Sequence, residues 1–288
     1  MFIGVNVPNF GPGTDPGALR SWARTVEGLG FDLLAISDHV AVTPDVAEQY
    51  PAPFYEPFTT LAWLAGITDR IRLATTVLVV PYRHLLLVAR MAANLDRLSG
   101  GRLVLGVGVG WAKQEFEALG VSFRDRGSLT DEHLRAMRTA WNDVDDYGAR
   151  RIPIWVGGNS PAGMRRAVEL GDAWHPLRFT MPWLSEALTR LKTVADQRGR
   201  PVPALAPRIV LRITDAPVED PARLAGEGTI EQVLDDLEQL RLLGADTVLL
   251  DPFGGDPLET NHPQTAWRAL AAVAAGWDLG TRHARLEN

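Results

Sequence analysis

The sequence predicts an α/β fold, a TIM (β/α)8 barrel with extended loops on its C-terminal face, and three observations carry that reading. Strand-like and helix-like stretches alternate along all 288 residues and come to about eight units. The strand-like stretches are mostly continuous apolar runs rather than alternating ones, which suits a parallel sheet buried on both faces. The length lies close to the roughly 250 residues of such a barrel, whereas an open doubly wound sheet carries only about five or six strands. No linker divides the chain, so residues 1–288 read as a single domain.

Residues 2–7 read as the first strand, and Asp15-Pro16 opens a helix that Gly28 and Gly30 punctuate. Residues 31–37 are the second strand. Helix then follows at 57–67, strand at 71–80, helix at 84–98, strand at 102–107, and helical pieces at 112–119 and 130–141. The second half repeats the alternation: strands at 152–156, 173–175, 208–213 and 247–250, and helices at 161–171, 182–198, 230–243 and 263–275. Residues 201–207 are proline-rich and read as a helix-to-strand connection. Residues 40–56 and 215–228 follow strands and are longer than a connection requires; in a barrel both lie on the C-terminal face, where active sites form, as lids or as surface decoration.

Composition narrows the function classes. Residues 73–80, among the longest apolar stretches, are followed by Pro81, Arg83 and Arg90 well short of the roughly 18 residues a membrane helix needs. The first basic residue is Arg20, so the start lacks the charged segment of a secretory signal, and a cytoplasmic location is expected. The absence of cysteine rules out disulfides, thiolate metal sites and cysteine nucleophiles. A net charge of −6 argues against nucleic acid or an anionic membrane as the main partner, and points to a small-molecule substrate. No His-Glu-x-x-His, Gly-x-Ser-x-Gly or phosphate loop ending Gly-Lys-Ser/Thr occurs, so no metal site is expected and serine-esterase chemistry has no support.

Four features could carry chemistry. The glycine ladder Gly106-Val107-Gly108-Val109-Gly110-Trp111 falls where a strand gives way to a helix, so it either lets a planar cofactor approach bare backbone or permits close packing. Gly157-Gly158-Asn159-Ser160 precedes a helix whose first turns hold Arg165 and Arg166; this is an anion site or a plain capped turn. His39 ends the second strand, where a barrel side chain points into the site and an imidazole can exchange a proton. His175 also follows a short strand, but Trp174-His175-Pro176 reads as barrel packing.

Taken together, Gly30-Phe31-Asp32 with Ser37-Asp38-His39, Leu98-Ser99-Gly100-Gly101-Arg102 with the glycine ladder, Ile154-Trp155-Val156-Gly157-Gly158-Asn159-Ser160 and Gly171-Asp172-Ala173-Trp174 resemble the luciferase-like flavin and deazaflavin oxidoreductases, over nearly the whole chain. The wording is most similar to the branch that uses coenzyme F420, a 5-deazaflavin, with FMN as the alternative cofactor. The resemblance implies a TIM barrel, usually a homodimer, that binds its cofactor at the C-terminal face. It further implies a cis peptide at Thr76-Val77 behind the ring, Val109 and Gly110 along the ring, and Gly157 and Gly158, with Asn159 and Ser160, at the phosphate. His39 would then face the substrate.

The sequence departs from the family members that oxidise alcohols or sugar phosphates. Where they have a tryptophan and a glutamate, this chain has Thr43 and Trp111, so the acid partner of His39 is expected to be missing. Trp111 would make that wall of the pocket apolar, and Arg178 is the cation placed to stand in for a phosphate clamp. The connection at residues 142–151 is also shorter than usual, a difference expected on the face opposite the site. The expectation is hydride transfer between the deazaflavin and a small apolar or conjugated substrate; an FMN-dependent two-component monooxygenase and a non-catalytic flavin-binding barrel are the alternatives.

Overall fold

The computed structural model describes residues 1–143 and 151–279. In chain order the elements are β1 (Phe2–Asn6), α1 (Pro16–Gly28), β2 (Leu33–Ile36), α2 (Pro44–Ala47), α3 (Pro57–Ala65), β3 (Arg72–Thr75), β4 (Leu78–Val79), α4 (Leu85–Leu98), β5 (Leu103–Gly108), α5 (Lys113–Ala118) and α6 (Arg126–Asp143). They continue with β6 (Ile154–Gly157), α7 (Pro161–Leu170), β7 (Ala173–His175), α8 (Met181–Gln197), β8 (Ala204–Leu205), β9 (Arg208–Val210), β10 (Arg212–Ile213), β11 (Glu227–Gly228), α9 (Ile230–Leu242), β12 (Thr247–Asp251) and α10 (Pro263–Gly276).

The main sheet runs β8-β7-β6-β5-β3-β2-β1-β12-β9, with each neighbouring pair parallel and β4 added beside β5. Its two ends are halves of one strand position. β8 pairs with β7 and β9 pairs with β12, separated only by Ala206 and Pro207. The Ala206 N–H donates to the Trp174 carbonyl at 2.9 Å, and the Leu249 N–H to the Pro207 carbonyl at 2.8 Å, so the sheet closes across the break. This corrects the expected boundary: the seventh strand begins at Ala204, inside the proline-rich segment. Proline can sit there because the missing N–H falls where the strand changes partner.

Local chemistry starts the helices. Pro16, Pro57, Pro161 and Pro263 each open one, where the missing N–H is not needed, and Asp15, Glu56, Ser160 and Thr229 cap the first turn with a side-chain oxygen. The strands sort their side chains by alternation. Leu34, Leu73, Leu103, Val248 and Leu250 face the helices, whereas Leu33, Ala74, Val104, Trp155, Ala173 and Leu249 form a separate cluster drawn from six strands, which plugs the barrel. The short connection expected at 142–151 falls mainly on residues 144–150, outside the described residues.

Candidate functional site

Above the apolar plug the strands turn a polar belt inward. Arg208 donates from Nε to Asp251 Oδ2 at 3.0 Å and from Nη1 to the Thr76 carbonyl at 3.0 Å. Asn6 Nδ2 donates to Asp251 Oδ1 at 3.0 Å, and the Phe253 N–H reaches the same oxygen. His175 lies with Nδ1 against the Ala206 carbonyl and Nε2 at 2.9 Å from the Thr76 hydroxyl. A carbonyl can only accept, so Nδ1 carries the proton and Nε2 accepts from Thr76. Burial pushes the His175 pKa down to about 4, the carbonyl opposing and Arg208 reinforcing, so this ring stays neutral at pH 7. Both His175 nitrogens are thus committed to partners within the barrel.

His39, at the end of β2, has the opposite surroundings. Its Nδ1 is 2.6 Å from Glu115 Oε2, and both side chains are almost wholly buried. The same carboxylate accepts from Tyr82 Oη at 2.8 Å, from the Val40 N–H at 2.6 Å and from the Ala41 N–H at 3.0 Å. Burial acts to raise the Glu115 pKa, but the His39 hydrogen bond and charge and the two amides outweigh it and hold the carboxyl below its ordinary value. Burial first, and then the Glu115 charge, push the Tyr82 phenol up, so it remains a donor. An ionised Glu115 fixes the Nδ1–H tautomer of His39. Among the described residues Nε2 has no hydrogen-bond partner.

Glu115 corrects the expectation that His39 lacks an acid partner. The residue comes from the first turn of α5, four positions beyond Trp111. The sequence does carry a signal for it: Ala112, Glu115, Phe116 and Leu119 share one helical face, and a carboxylate on an otherwise apolar inward stripe needs a buried partner.

Residues 40–56 close over this dyad. The Tyr50 ring lies 5.4 Å from the His39 ring at 29°, while Phe54 and Trp111 meet it edge-on at 5.2 and 5.7 Å. Phe10 joins Tyr50, Phe54 and Phe253 behind them. Thr43 lies among the lid residues, but its hydroxyl donates to Asp45 at 2.7 Å as it starts α2. Asp45 also accepts from the Gln114 N–H at 3.1 Å, tying the lid to α5. At the base of the lid Arg83 forks onto Asp38 with two 2.8 Å bonds and reaches Glu56 at 3.0 Å.

The Thr76-Val77 peptide is cis. The glycine ladder serves the segment that contains it: a Cβ on Gly106 would meet the Thr75 carbonyl oxygen at 2.0 Å, on Gly108 Val77 Cγ2 at 2.5 Å, and on Gly110 Val79 Cγ1 at 2.6 Å. Close packing of neighbouring strands therefore accounts for these glycines, and Gly157 joins them with Val77 Cγ1 at 3.0 Å. Gly158 differs. Its φ is +114° and a Cβ there would meet nothing within 4 Å, so bare backbone faces open space at the head of α7.

Other expected parts of the anion site are committed elsewhere. Asn159 exchanges two hydrogen bonds with the backbone of Leu177, and Ser160 caps α7. Arg165 binds Asp131 at 2.9 Å and Glu169 at 2.8 Å, and Arg166 binds Asp131 and the Gly127 carbonyl. Both arginines thus fasten α7 to α6 instead of flanking the turn, which corrects the expectation. Arg178 is exposed, has φ +47° and no partner among the described residues, and borders a groove of about 850 Å3. No helix among the described residues is long and apolar enough to cross a membrane.

Comparisons with known proteins agree with this architecture. The phthiodiolone/phenolphthiodiolone dimycocerosates ketoreductase of Mycobacterium tuberculosis is 27% identical over 219 residues, covering 68% of this chain and 57% of its own length. Among solved structures, the coenzyme F420-dependent tetrahydromethanopterin reductase of Methanopyrus kandleri superposes with TM-score 0.72 at 16% identity, covering 95% of this chain and 97% of that one. The FMN-bound oxygenating constituent of 3,6-diketocamphane monooxygenase from Pseudomonas putida superposes with TM-score 0.71 at 17% identity, covering 95% and 97%. At those identities the structures establish the fold. The model of the luciferase-like monooxygenase family matches residues 1–225, and with the closed parallel barrel and its histidine-bearing C-terminal face this makes the chain a member of that family.

Proposed function

We propose that this protein is an F420-dependent oxidoreductase that exchanges a hydride with a small apolar or conjugated organic substrate, His39 giving or taking the accompanying proton. The observation that carries the reading is the His39–Glu115 pair: a proton-handling imidazole, oriented by a buried carboxylate, in a chamber of aromatic rings. Members of this fold include both F420-dependent and FMN-bound proteins, and a ketoreductase is among the sequence relatives.

The residues fit a flavin-like cofactor. Asn6 Oδ1 is buried and without a partner, while its amide nitrogen is committed to Asp251; a ring imide N–H is a suitable donor for that oxygen. The open backbone at Gly158 and the N-terminus of α7 suit a phosphate. Beside them Asn159, Pro161, Trp183 and Arg190 line a groove of about 440 Å3 for the rest of an anionic tail. Thr76, Val77, Val109 and Gly110 would border the ring. When bound, F420 supplies the hydride chemistry at its C5.

The chain's own residues do the rest. Glu115 holds His39 so that Nε2 is the exchangeable position, and stabilises the imidazolium when the ring is protonated. Tyr50, Phe54 and Trp111 pack around the His39 ring and hold its plane. With Glu115 present, the non-catalytic barrel loses its main support, and alcohol oxidation is no longer excluded by lack of an acid partner. The FMN-bound neighbour keeps a monooxygenase supplied with reduced FMN as the second reading.

Titration with F420 and with FMN, followed by tryptophan fluorescence, separates the two cofactors. Tight binding of F420 with weak FMN binding, and oxidation of reduced F420 by a conjugated ketone, are expected. Preferred FMN binding would overturn the deazaflavin reading.

A further inference from the structure

The Glu115 carboxylate is saturated with donors. Its Oε1 accepts from the Val40 and Ala41 N–H groups at 2.6 and 3.0 Å, and its Oε2 accepts from His39 Nδ1 at 2.6 Å and from Tyr82 Oη at 2.8 Å. Those donors fill the roughly four acceptor places of a carboxylate, and all three side chains are buried. Tyr82 is held to this place from both sides. It ends the turn Val80–Tyr82, and Asp38, the neighbour of His39, accepts from the Val79 N–H at 2.9 Å before that turn and from Arg83 at 2.8 Å after it. The Tyr82 ring meets Phe116, the residue after Glu115, edge-on at 4.8 Å in a small apolar cluster with Val79. Its hydroxyl is therefore a polar tip on an otherwise apolar anchor, aimed at the oxygen that His39 uses.

We propose that Tyr82 is a positioning residue for the proton transfer: its hydroxyl occupies the last acceptor place of Glu115, fixing the carboxylate on His39 and limiting the negative charge that the imidazole meets. The inference rests on the proton-exchanging role proposed for His39 and adds the residue that sets how firmly His39 holds its proton. A neutral donor suits the place. A cation there would compete with His39 for the carboxylate, and an apolar side chain would leave a buried oxygen short of a partner. The surrounding charges are already committed. Asp38 is matched by Arg83, which also reaches Glu56 at 3.0 Å; Asp45 accepts from Thr43 and from the Gln114 N–H; Lys113 of α5 turns to Glu117 at 3.6 Å; and Arg126 of α6 stacks on Phe123 at 3.9 Å. Tyr50 meets the His39 ring itself. Of the donors on Glu115, two are backbone amides and one is His39, so Tyr82 is the one whose removal leaves the backbone and the imidazole intact.

The test follows the His39 ring nitrogens by NMR through a pH titration of the cofactor-free protein, with His39→Gln to assign the signal. Tyr82→Phe returns more of the carboxylate charge to His39, so the pH at which the ring takes up its second proton should rise by about one unit. Incorporation of 3-fluorotyrosine, a stronger donor of nearly the same shape, should move it the other way, and serves if Tyr82→Phe fails to fold. In a Glu115→Gln background Tyr82→Phe should no longer move it, because the effect passes through the carboxylate. The pH profile for oxidation of reduced F420 by a conjugated ketone should shift with the NMR midpoint. An unmoved midpoint in both altered proteins, or a shift that persists without the Glu115 charge, overturns the role of Tyr82. The expected NMR shifts in a protein that does not oxidise reduced F420 would leave Tyr82 in place and overturn the hydride reading instead.

Discussion

His39 and His175 stand at the ends of two strands of the same barrel, both buried, and their neighbours give them opposite work. His175 meets a carbonyl and a hydroxyl that use both nitrogens, and burial, reinforced by Arg208 against the pull of the carbonyl, holds it neutral. His39 meets a carboxylate on one nitrogen and, among the described residues, no hydrogen-bond partner on the other. Position in the fold brings a histidine to the site; the partner decides whether it can exchange a proton.

The contrast can be broken most sharply at His39. His39→Ala should lower oxidation of reduced F420 by a conjugated ketone about 10²–10⁴-fold while F420 binding persists, because only proton transfer is removed. His175 should respond to pH through stability instead. Its pKa falls from 6.5 in the unfolded chain to about 4 in the folded one. Its contribution is therefore complete above pH 6.5 and is lost as pH falls towards 4, a change of about 3 kcal/mol. Urea unfolding at pH 7 and pH 4.5 should show that loss in the wild type and a shallower pH dependence in His175→Gln.

Glu115→Gln sharpens the comparison by keeping the shape of the pair and removing its charge. Turnover should drop roughly ten- to a hundredfold, about 2 kcal/mol, in kcat rather than KM. A change confined to KM would reduce Glu115 to a lid anchor. The smallest effect is expected at Thr76→Val, which leaves His175 Nε2 without its donor and should cost about 1 kcal/mol in thermal unfolding of the cofactor-free protein.

Much of this was legible in the chain. The apolar runs placed most of the strands, and proline and cap residues placed most of the helices, because those signals are local. The end of β2 singles out His39, and the family resemblance implies the cis peptide found at Thr76-Val77. What local signals do not carry is long-range. The Asp131 that captures Arg165 and Arg166 lies 34 and 35 residues away on another helix, and no spacing rule reports it. Glu115 is masked by Trp111, which holds the position next to the ladder, although its place on the apolar face of α5 is readable. The start of the seventh strand is hidden because Pro201, Pro203 and Pro207 look like a loop, and the change of strand partner at 206–207 leaves no local signal.

Val77 has one further consequence. Its two methyl groups are the surfaces that leave no room for a Cβ at Gly108, 2.5 Å away, and only tight room at Gly157, 3.0 Å away. These three residues, from separate stretches of sequence, therefore form an epistatic set. Gly108→Ala is a steric lesion beside valine and becomes tolerable once Val77→Ala has removed the obstructing methyl, so the order in which a lineage acquires the two changes determines whether the path is passable. Gly106 lies outside this freedom, since its obstacle is the Thr75 backbone oxygen, which no side-chain exchange can remove.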